Sequence, residues 1–462
     1  MLPERTDVLV VGAGPTGLTA ALALARRGIE VTLVDKREEP PVTSRAAVVH
    51  AYTLELLDRL DAGAPLVAQG LRSARFSVRD RDRLLATVPF DRLPTRHRYA
   101  LLVSQSVTEQ VLTERLADAG VPVLRPYQLT GLEQDGDGAV ARFAGATVRA
   151  RWVIGADGIH STVRELAGIR FTGPADSMES FVLADVRVDS VLPRDGVSIF
   201  LARSGPLVWA PLPDGRVRLV AQVTPPATIA TVIPGATVDT GAAGATVGAG
   251  AAGATVGTGA AGATVDTGAA GATVGTGVTV GAVADPPAEP DAGYLQRLLD
   301  ERGPATRPDR VREVLWSSRF RLHRRVAETF RRGPVLLAGD SGHVHSPAGG
   351  QGMNLGISDA VDLGATLADV LAGGPDRLLD EYATRRRPLA HDVAGFADRL
   401  TRLATAPPAL RPARDLLLRL VGVLPPARHR IALRLSGLHQ RPATTPAVDA
   451  ARGGVPGRRT GR

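Results

Sequence analysis

The chain contains no cysteine. That excludes disulfides, thiolate metal sites, cysteine nucleophiles and any reductase that works through a cysteine pair. Lysine is almost missing too: Lys36 is the only one, so the formal net charge of +8 is carried by arginine. The arginines are scattered along the chain, which points to arginine-favouring coding rather than to a nucleic-acid surface. Aromatic residues make up only 4% of the chain. No run of about 20 strongly apolar residues occurs, and the uncharged stretch Thr240–Val265 is Gly/Ala/Thr, too weakly apolar to span a bilayer. The first residues, Met1 to Asp7, are polar and run straight into an apolar strand, without the basic start and cleavage site of a leader. A cytoplasmic protein without metal, nucleic acid or membrane as partner is the resulting expectation.

What is present suits a globular enzyme. A length of 462 residues with 44% apolar and 22% charged content allows two or three domains and a large core. Asp7–Val11 is a short β-branched run, read as a buried strand. A glycine turn follows, then an Ala/Leu-rich helix from Leu18 to Arg27, ended by Gly28, and a second strand from Glu30 to Val34. This is a βαβ unit. Helices are expected over Thr53–Leu60 and Val107–Ala119, and a strand over Val148–Ile154. From Glu179 to Val223 the pattern changes to antiparallel strands (Phe181–Val188, Val197–Ala202, Leu207–Pro211, Arg216–Val223), with Asp214-Gly215 as a hairpin turn. Near copies of GATVDTGAA then begin at Gly235, Gly244, Gly253, Gly262 and Gly271, a nonapeptide repeat covering 235–279. Each unit has only valine as a sizeable apolar side chain, so a flexible insertion is expected rather than a solenoid. Val335–Ala338 reads as a strand, Met353–Leu371 as a helix, and Leu378–Leu438 as helices broken at Pro407-Pro408 and Pro425-Pro426.

Three motifs carry chemistry. In Gly12-Ala13-Gly14-Pro15-Thr16-Gly17, Gly12 makes the tight turn, Gly14 admits a pyrophosphate to the backbone and Gly17 lets helix and strand pack. The helix start then faces the phosphates. Asp35 ends the second strand, where a carboxylate can hold ribose hydroxyls. The second motif is Gly155-Ala156-Asp157-Gly158 with Ser161 and Arg164; an ordinary turn with a helix cap is an equal reading of it. The third is Gly339-Asp340-Ser341-Gly342-His343 followed by Pro347 and Gly349-Gly350-Gln351-Gly352-Met353-Asn354. Its glycines let backbone lie against a planar ring, and the helix that follows directs its N-terminal dipole at that ring, which favours an anionic, reduced state.

In order and spacing these motifs resemble the class A flavoprotein monooxygenases, the FAD-dependent aromatic hydroxylases, and most closely the branch acting on aromatic polyketides and antibiotics. The resemblance implies an α/β fold: a Rossmann-like FAD-binding domain with an inserted antiparallel β-sheet substrate domain and a C-terminal helical segment. It divides the chain into 1–175 and 326–390 for FAD, 176–325 for substrate (with the repeat), 391–440 for the terminal helices and 441–462 as a disordered tail. Gly12, Gly14, Gly17, Asp35, Arg45, Gln105, Asp157, Arg164, Asp340, Pro347, Gly349, Gly350, Gln351, Gly352, Met353 and Asn354 match the family's cofactor positions. Asp157 and Arg164 are associated there with transient NADPH binding as well. In the implied cycle NADPH (or NADH) reduces FAD, O2 adds to give a C4a-hydroperoxide, and an electron-rich aromatic carbon takes the distal oxygen. The cofactor carries the hard chemistry, so no acid–base dyad is required; Pro347 and Gly350 of the flavin loop are the only positions placed near the reaction. Phe181, Phe200, Trp209, Phe320 and His323 are candidates for the substrate pocket, although sheet core is the commoner role for such residues. His343 reads as a satisfied buried histidine.

Other readings keep the fold and change the reaction. A halogenase needs a Trp-x-Trp motif and a pocket lysine, whereas Trp209 has no such partner and Lys36 lies in the cofactor domain. A flavin-dependent reductase and a non-enzymatic FAD-binding protein also remain, as does a membrane-associated hydroxylase in which the apolar, basic stretch Leu416–Leu438 is an interfacial helix rather than one packed against the FAD domain; the chain can be a monomer or a homodimer.

Overall fold

The computed structural model describes residues 1–40, 46–173, 179–223, 288–322, 324–347 and 349–442, together with four short strands inside the repeat. Arg45, His323 and the tail from 443 onward lie outside the described residues. The chain divides into two compact units: residues 1–222 with 288–462, and residues 223–287.

The larger unit is built on two sheets. The first strand, Arg5–Val11, is buried along its apolar run and pairs in parallel with Val31–Val34 on one side and Ala146–Gly155 on the other. Val335–Leu337 and Val123–Leu124 extend this sheet, also in parallel. Between the first two strands runs the helix Pro15–Ala25, which starts three residues earlier than the sequence suggests because Pro15 fits the first helical position. The long helix Gly352–Leu371 packs against it. Small residues allow the approach: a Cβ on Gly364 would lie 2.7 Å from that of Ala23, and one on Gly356 only 2.4 Å from Thr16 Oγ1.

The second sheet has seven strands, in the order Arg310–Leu322, Glu179–Asp189, Arg216–Val223, Gly205–Pro211, Gly196–Ala202, Arg75–Asp80 and Arg83–Pro89. Its last two strands come from the first part of the chain, so the sheet draws on residues outside 176–325. The expected hairpin at Asp214-Gly215 is present, with φ of 60° and 73° at the two central residues.

The strands alternate their faces. Val197 and Ala210, with Ile199 and Val208, join a cluster with Ala47, Val48, Tyr52 and Leu435. The other face carries Phe200 and Trp209, both fully enclosed. It lies against the helix Ala292–Arg302, whose Arg302 guanidinium donates to the carbonyls of Pro206 and Gln222.

After Leu371 the chain forms helices Arg377–Ala404, Arg411–Val423 and Pro425–Leu435. In the smaller unit, strands Ala236–Asp239 with Thr246–Ala249, and Thr255–Gly259 with Gly262–Asp266, form two antiparallel ladders. The flexible-loop expectation for the remaining repeat falls outside the described residues.

Candidate cofactor and substrate site

The first glycine turn is closed by backbone contacts that admit no side chain. Gly12 has φ of +103°, and a Cβ there would lie 2.4 Å from the Ala156 carbonyl oxygen. Gly17 packs on Gly12 so closely that its Cβ would overlap the Gly12 carbonyl. At Gly14, by contrast, a Cβ would meet no protein atom within 4 Å. Gly14 is also the cap of the Pro15–Ala25 helix, whose first N–H groups have no intrahelical acceptor. A side chain at Gly14 would therefore fill the cradle that the helix start presents to a pyrophosphate.

Asp35 sits beneath this turn. Its carboxylate accepts from the amides of Ala13 (2.7 Å) and Arg37 (2.8 Å) and pairs with Arg125 at 2.9 Å. A carboxylate offers about four lone-pair sites, so it fixes the turn and still has capacity for a hydroxyl. Arg125 was not foreseen, because nothing local in the sequence relates it to Asp35.

The second motif forms a capped turn. Asp157 accepts from the Ser161 hydroxyl (2.5 Å) and the Val163 amide (3.1 Å), and Ser161 caps the helix Thr162–Leu166. Burial pushes the Asp157 carboxyl upward, against the pull of Ser161 and the helix amides. Arg164 donates to the carbonyls of Ser341 and Ile159, each at 2.9 Å, and stacks over Phe171. It thus fastens the second motif to the third.

The third motif rests on a buried ion network. Asp359 is fully enclosed and accepts from the Gly339 amide (3.0 Å), from Arg386 Nε (2.5 Å) and from His343 Nε2 (2.5 Å). Burial alone would raise its pKa; the Arg386 and His343 charges outweigh that and hold it below the usual carboxylate range. His343 is buried in the core and held through Nε2 by Asp359, while its Nδ1 is buried without a partner among the described residues, so it is only half satisfied. Asp340, next to this turn, is exposed. Substituting Asp359 with alanine should leave the Arg386 guanidinium buried without its carboxylate and cost about 3–5 kcal/mol, read as a fall in the urea midpoint.

The loop before the long helix is clamped from across the chain. Gly349 and Gly350 have φ of +84° and +62°. The Gly349 carbonyl accepts from His50 Nε2 at 2.9 Å. Asn354 is buried and donates to the carbonyls of Val48 and Gly350, while its Oδ1 accepts the His50 amide at 2.8 Å. Gln351 is buried and donates to the Leu435 carbonyl. Pro347 and Met353 are half-buried, and a Cβ on Gly352 would meet no protein atom within 4 Å. The loop thus presents glycine backbone at a helix N-terminus, open at Gly352, the setting that suits an anionic ring.

Gln105 begins the helix Gln105–Asp118; its amide donates to the Ala46 carbonyl, and its side chain to Glu109. The same Ala46 carbonyl accepts from Arg218, 2.8 Å away, and Arg218 is bound through two 2.7 Å contacts to the buried carboxylate of Asp185. This pair ties the second sheet to the segment directly after Arg45. Each of the two stands between apolar neighbours in its strand, but other charges share those strands, so nothing local marks the pair.

Of the pocket candidates, Phe181 and Phe320 stand opposite each other in neighbouring strands and stack, with ring centroids 5.7 Å apart. Phe181 shares its strand face with Asp185, the side that reaches Ala46. Phe200 and Trp209 belong to the opposite face, beneath the Ala292–Arg302 helix, with Asp309 buried close to Trp209. Both are fully enclosed side chains of the sheet core.

The profile of the FAD binding domain family matches residues 5–232 and 279–397. The chain belongs to the class A flavoprotein monooxygenases. It is 36% identical to the 6-methylpretetramide 4-monooxygenase of Streptomyces rimosus, over 99% of this chain and 74% of that protein. It is 32% identical to a rifampicin monooxygenase of Streptomyces venezuelae, over 90% and 75% of the two chains. Among solved structures it is similar to the anhydrotetracycline hydroxylase from Streptomyces rimosus, with a TM-score of 0.67 and 31% identity over 94% of this chain and 76% of that one. As a member of this family the chain is an FAD-dependent aromatic hydroxylase. Both cradles fit that cofactor: the first turn admits a diphosphate at Gly14, and the Gly349–Gly352 ledge admits a flat ring.

Proposed function

We propose that this hydroxylase uses NADPH and O2 to place one oxygen atom on an electron-rich, polyketide-type aromatic molecule. Bound FAD supplies the activation of O2 and the oxygen transfer. The protein's own part is to hold, orient and exclude water. Gly12, Gly14 and Asp35 hold the adenosine diphosphate end, Asp340 and Gln105 flank the ribityl chain, and the Gly349–Asn354 ledge carries the ring. Phe181 and Phe320 offer an aromatic surface for a fused-ring substrate.

The observation that carries this reading is the joining of the two glycine cradles. Thr16 of the first turn lies against Gly339 and Gly356 of the third motif; a Cβ on Gly339 would come within 2.5 Å of Thr16 Oγ1. One extended cofactor is thus served at both ends by elements locked together. The named relatives, which include a 6-methylpretetramide 4-monooxygenase and an anhydrotetracycline hydroxylase, support the substrate class.

The test is NADPH oxidation by the FAD-loaded protein with a panel of polycyclic phenols. Consumption matched by hydroxylated product is expected for at least one of them. NADPH oxidation that yields only peroxide with every member would favour a reductase of the same fold. Replacing Phe181 with alanine should raise KM about tenfold, about 1.4 kcal/mol, with kcat little changed, if the stacked pair binds substrate in the ground state.

A further inference from the structure

The helix Arg411–Val423 has a buried side and a bare one. Leu418 packs with Leu85, Ala86 and Leu201 of the second sheet, and Gly422 lies against Ala86. Arg414, on the same side, is buried and paired with Asp415 at 2.9 Å. The other side carries Leu416, Leu417, Leu420 and Val423, at helical spacing, and the next residue is Leu424; these side chains are 47–69% exposed. The sequence leaves two readings of Leu416–Leu438, packing against the cofactor domain or lying in an interface. The structure buries only one side of the helix, and five neighbouring large aliphatic groups are left in solvent, more than scattered surface apolar residues explain.

The charges around this row share one sign. A groove of about 670 Å³ beside Leu416 is lined by Arg203, Arg411 and Arg419, among others. Its two acids are already neutralised: Asp80 pairs with Arg83 at 3.1 Å, and Asp415 with Arg83 and Arg414. Arg203, Arg411 and Arg419 have no carboxylate partner among the described residues. At the far end of the row, His429 and Arg430 are exposed. A second copy of this chain related by a two-fold axis would bring arginine against arginine around the leucines, with no spare carboxylate to separate them.

We infer that this face docks on an anionic phospholipid surface, with the Leu416–Leu424 row entering the interface and Arg203, Arg411 and Arg419 receiving headgroup phosphates. An apolar stripe flanked by cations is the arrangement that binds such a surface peripherally. It does not require a spanning segment, and no described helix is long and apolar enough to cross a membrane.

The experiment is flotation of the full-length, FAD-loaded protein with vesicles of phosphatidylcholine alone or mixed with phosphatidylglycerol. Binding to the mixed vesicles at least tenfold tighter than to phosphatidylcholine, and weakened by salt, is expected. The double variant Leu416→Glu/Leu420→Glu should lose at least tenfold of that binding. Arg203→Glu/Arg419→Glu should lose it as well, together with the salt dependence. All four positions are on the surface, so bound flavin and the urea midpoint should be unchanged and report intact folding. No flotation with phosphatidylglycerol, or flotation indifferent to both double variants, would overturn the inference. So would sedimentation showing a dimer that the leucine variant splits, which would assign the face to a second copy.

Discussion

Replacing Gly12 with alanine is expected to lower FAD affinity by about 100-fold or more, close to 3 kcal/mol. The effect has two sources that act at one atom. A Cβ at this position would lie 2.4 Å from the Ala156 carbonyl oxygen and 2.7 Å from its carbon, both backbone atoms that no side-chain rotation can remove. The φ of +103° is itself strained for any residue with a Cβ. The turn cannot yield easily, because it is held on both sides: the Gly12 amide donates to Val34 and the Ala156 amide to Val11, each at 2.8 Å. Any shift of the turn moves Gly14 and the helix start away from the diphosphate. Gly28→Ala is the matched control. Its φ is +73°, yet a Cβ there meets nothing within 4 Å. It should cost a little stability and leave FAD affinity unchanged. Titration of both variants by quenching of flavin fluorescence distinguishes local clash from general loss of fold.

Acid lability between neutral pH and about pH 4 is the second large effect. His50 and His345 are both buried, and burial lowers each pKa from 6.5 to about 4, against the upward pull of the backbone carbonyls they bond. His50 Nε2 donates to Gly349 and His345 Nδ1 to Ser346, while His50 Nδ1 and His345 Nε2 are buried without a partner. A proton on either ring would have nowhere favourable to go. The unfolded chain takes up protons at these histidines as pH falls through 6.5, and the native state does so only near 4. The stability that the neutral rings confer is therefore complete above pH 6.5 and is lost on acidification towards 4, by roughly 3 kcal/mol for each histidine. Asp359 contributes in a separate, lower window, since its pKa lies below the usual 3.8. Urea midpoints should hold level from about pH 7.5 to about pH 6.5 and then fall towards about pH 4.5, and His345→Gln should flatten that fall. A pH-independent midpoint across that range would show that the rings are not held neutral.

The parts of the molecule written in contiguous residues were legible in the sequence. The strand, glycine turn, helix and acidic residue from Arg5 to Asp35 form one local unit, and each residue type there answers a local steric or electrostatic need. The loop from Gly349 to Asn354 was legible for the same reason. What holds that loop was not: His50 bonds Gly349 across 299 positions and Asn354 reaches Val48 across 306, and no periodicity in one chain encodes such pairings. The facing of Phe200 and Trp209 was not legible for a different reason. Their strands are buried on both faces, with Val197 and Leu201 buried as well as Phe200, so alternation between apolar and polar residues cannot tell the two faces apart. Asp185 and Arg218 are charges set between apolar neighbours, but so is Arg187 in the same strand as Asp185, and the sequence alone did not single out the pair. Strands Arg75–Asp80 and Arg83–Pro89 join the second sheet from far upstream, a topology that local patterning does not contain.

The most direct test of the central claim is the source of the oxygen in the product. The FAD-loaded protein is supplied with NADPH, a polycyclic phenol that it turns over and isotopically heavy O2 in ordinary water, and the product is weighed by mass spectrometry. One heavy oxygen atom per hydroxylation, with one NADPH consumed, is the predicted result. Product carrying oxygen from water, or NADPH oxidation with no oxygen in any aromatic product, would contradict a monooxygenase.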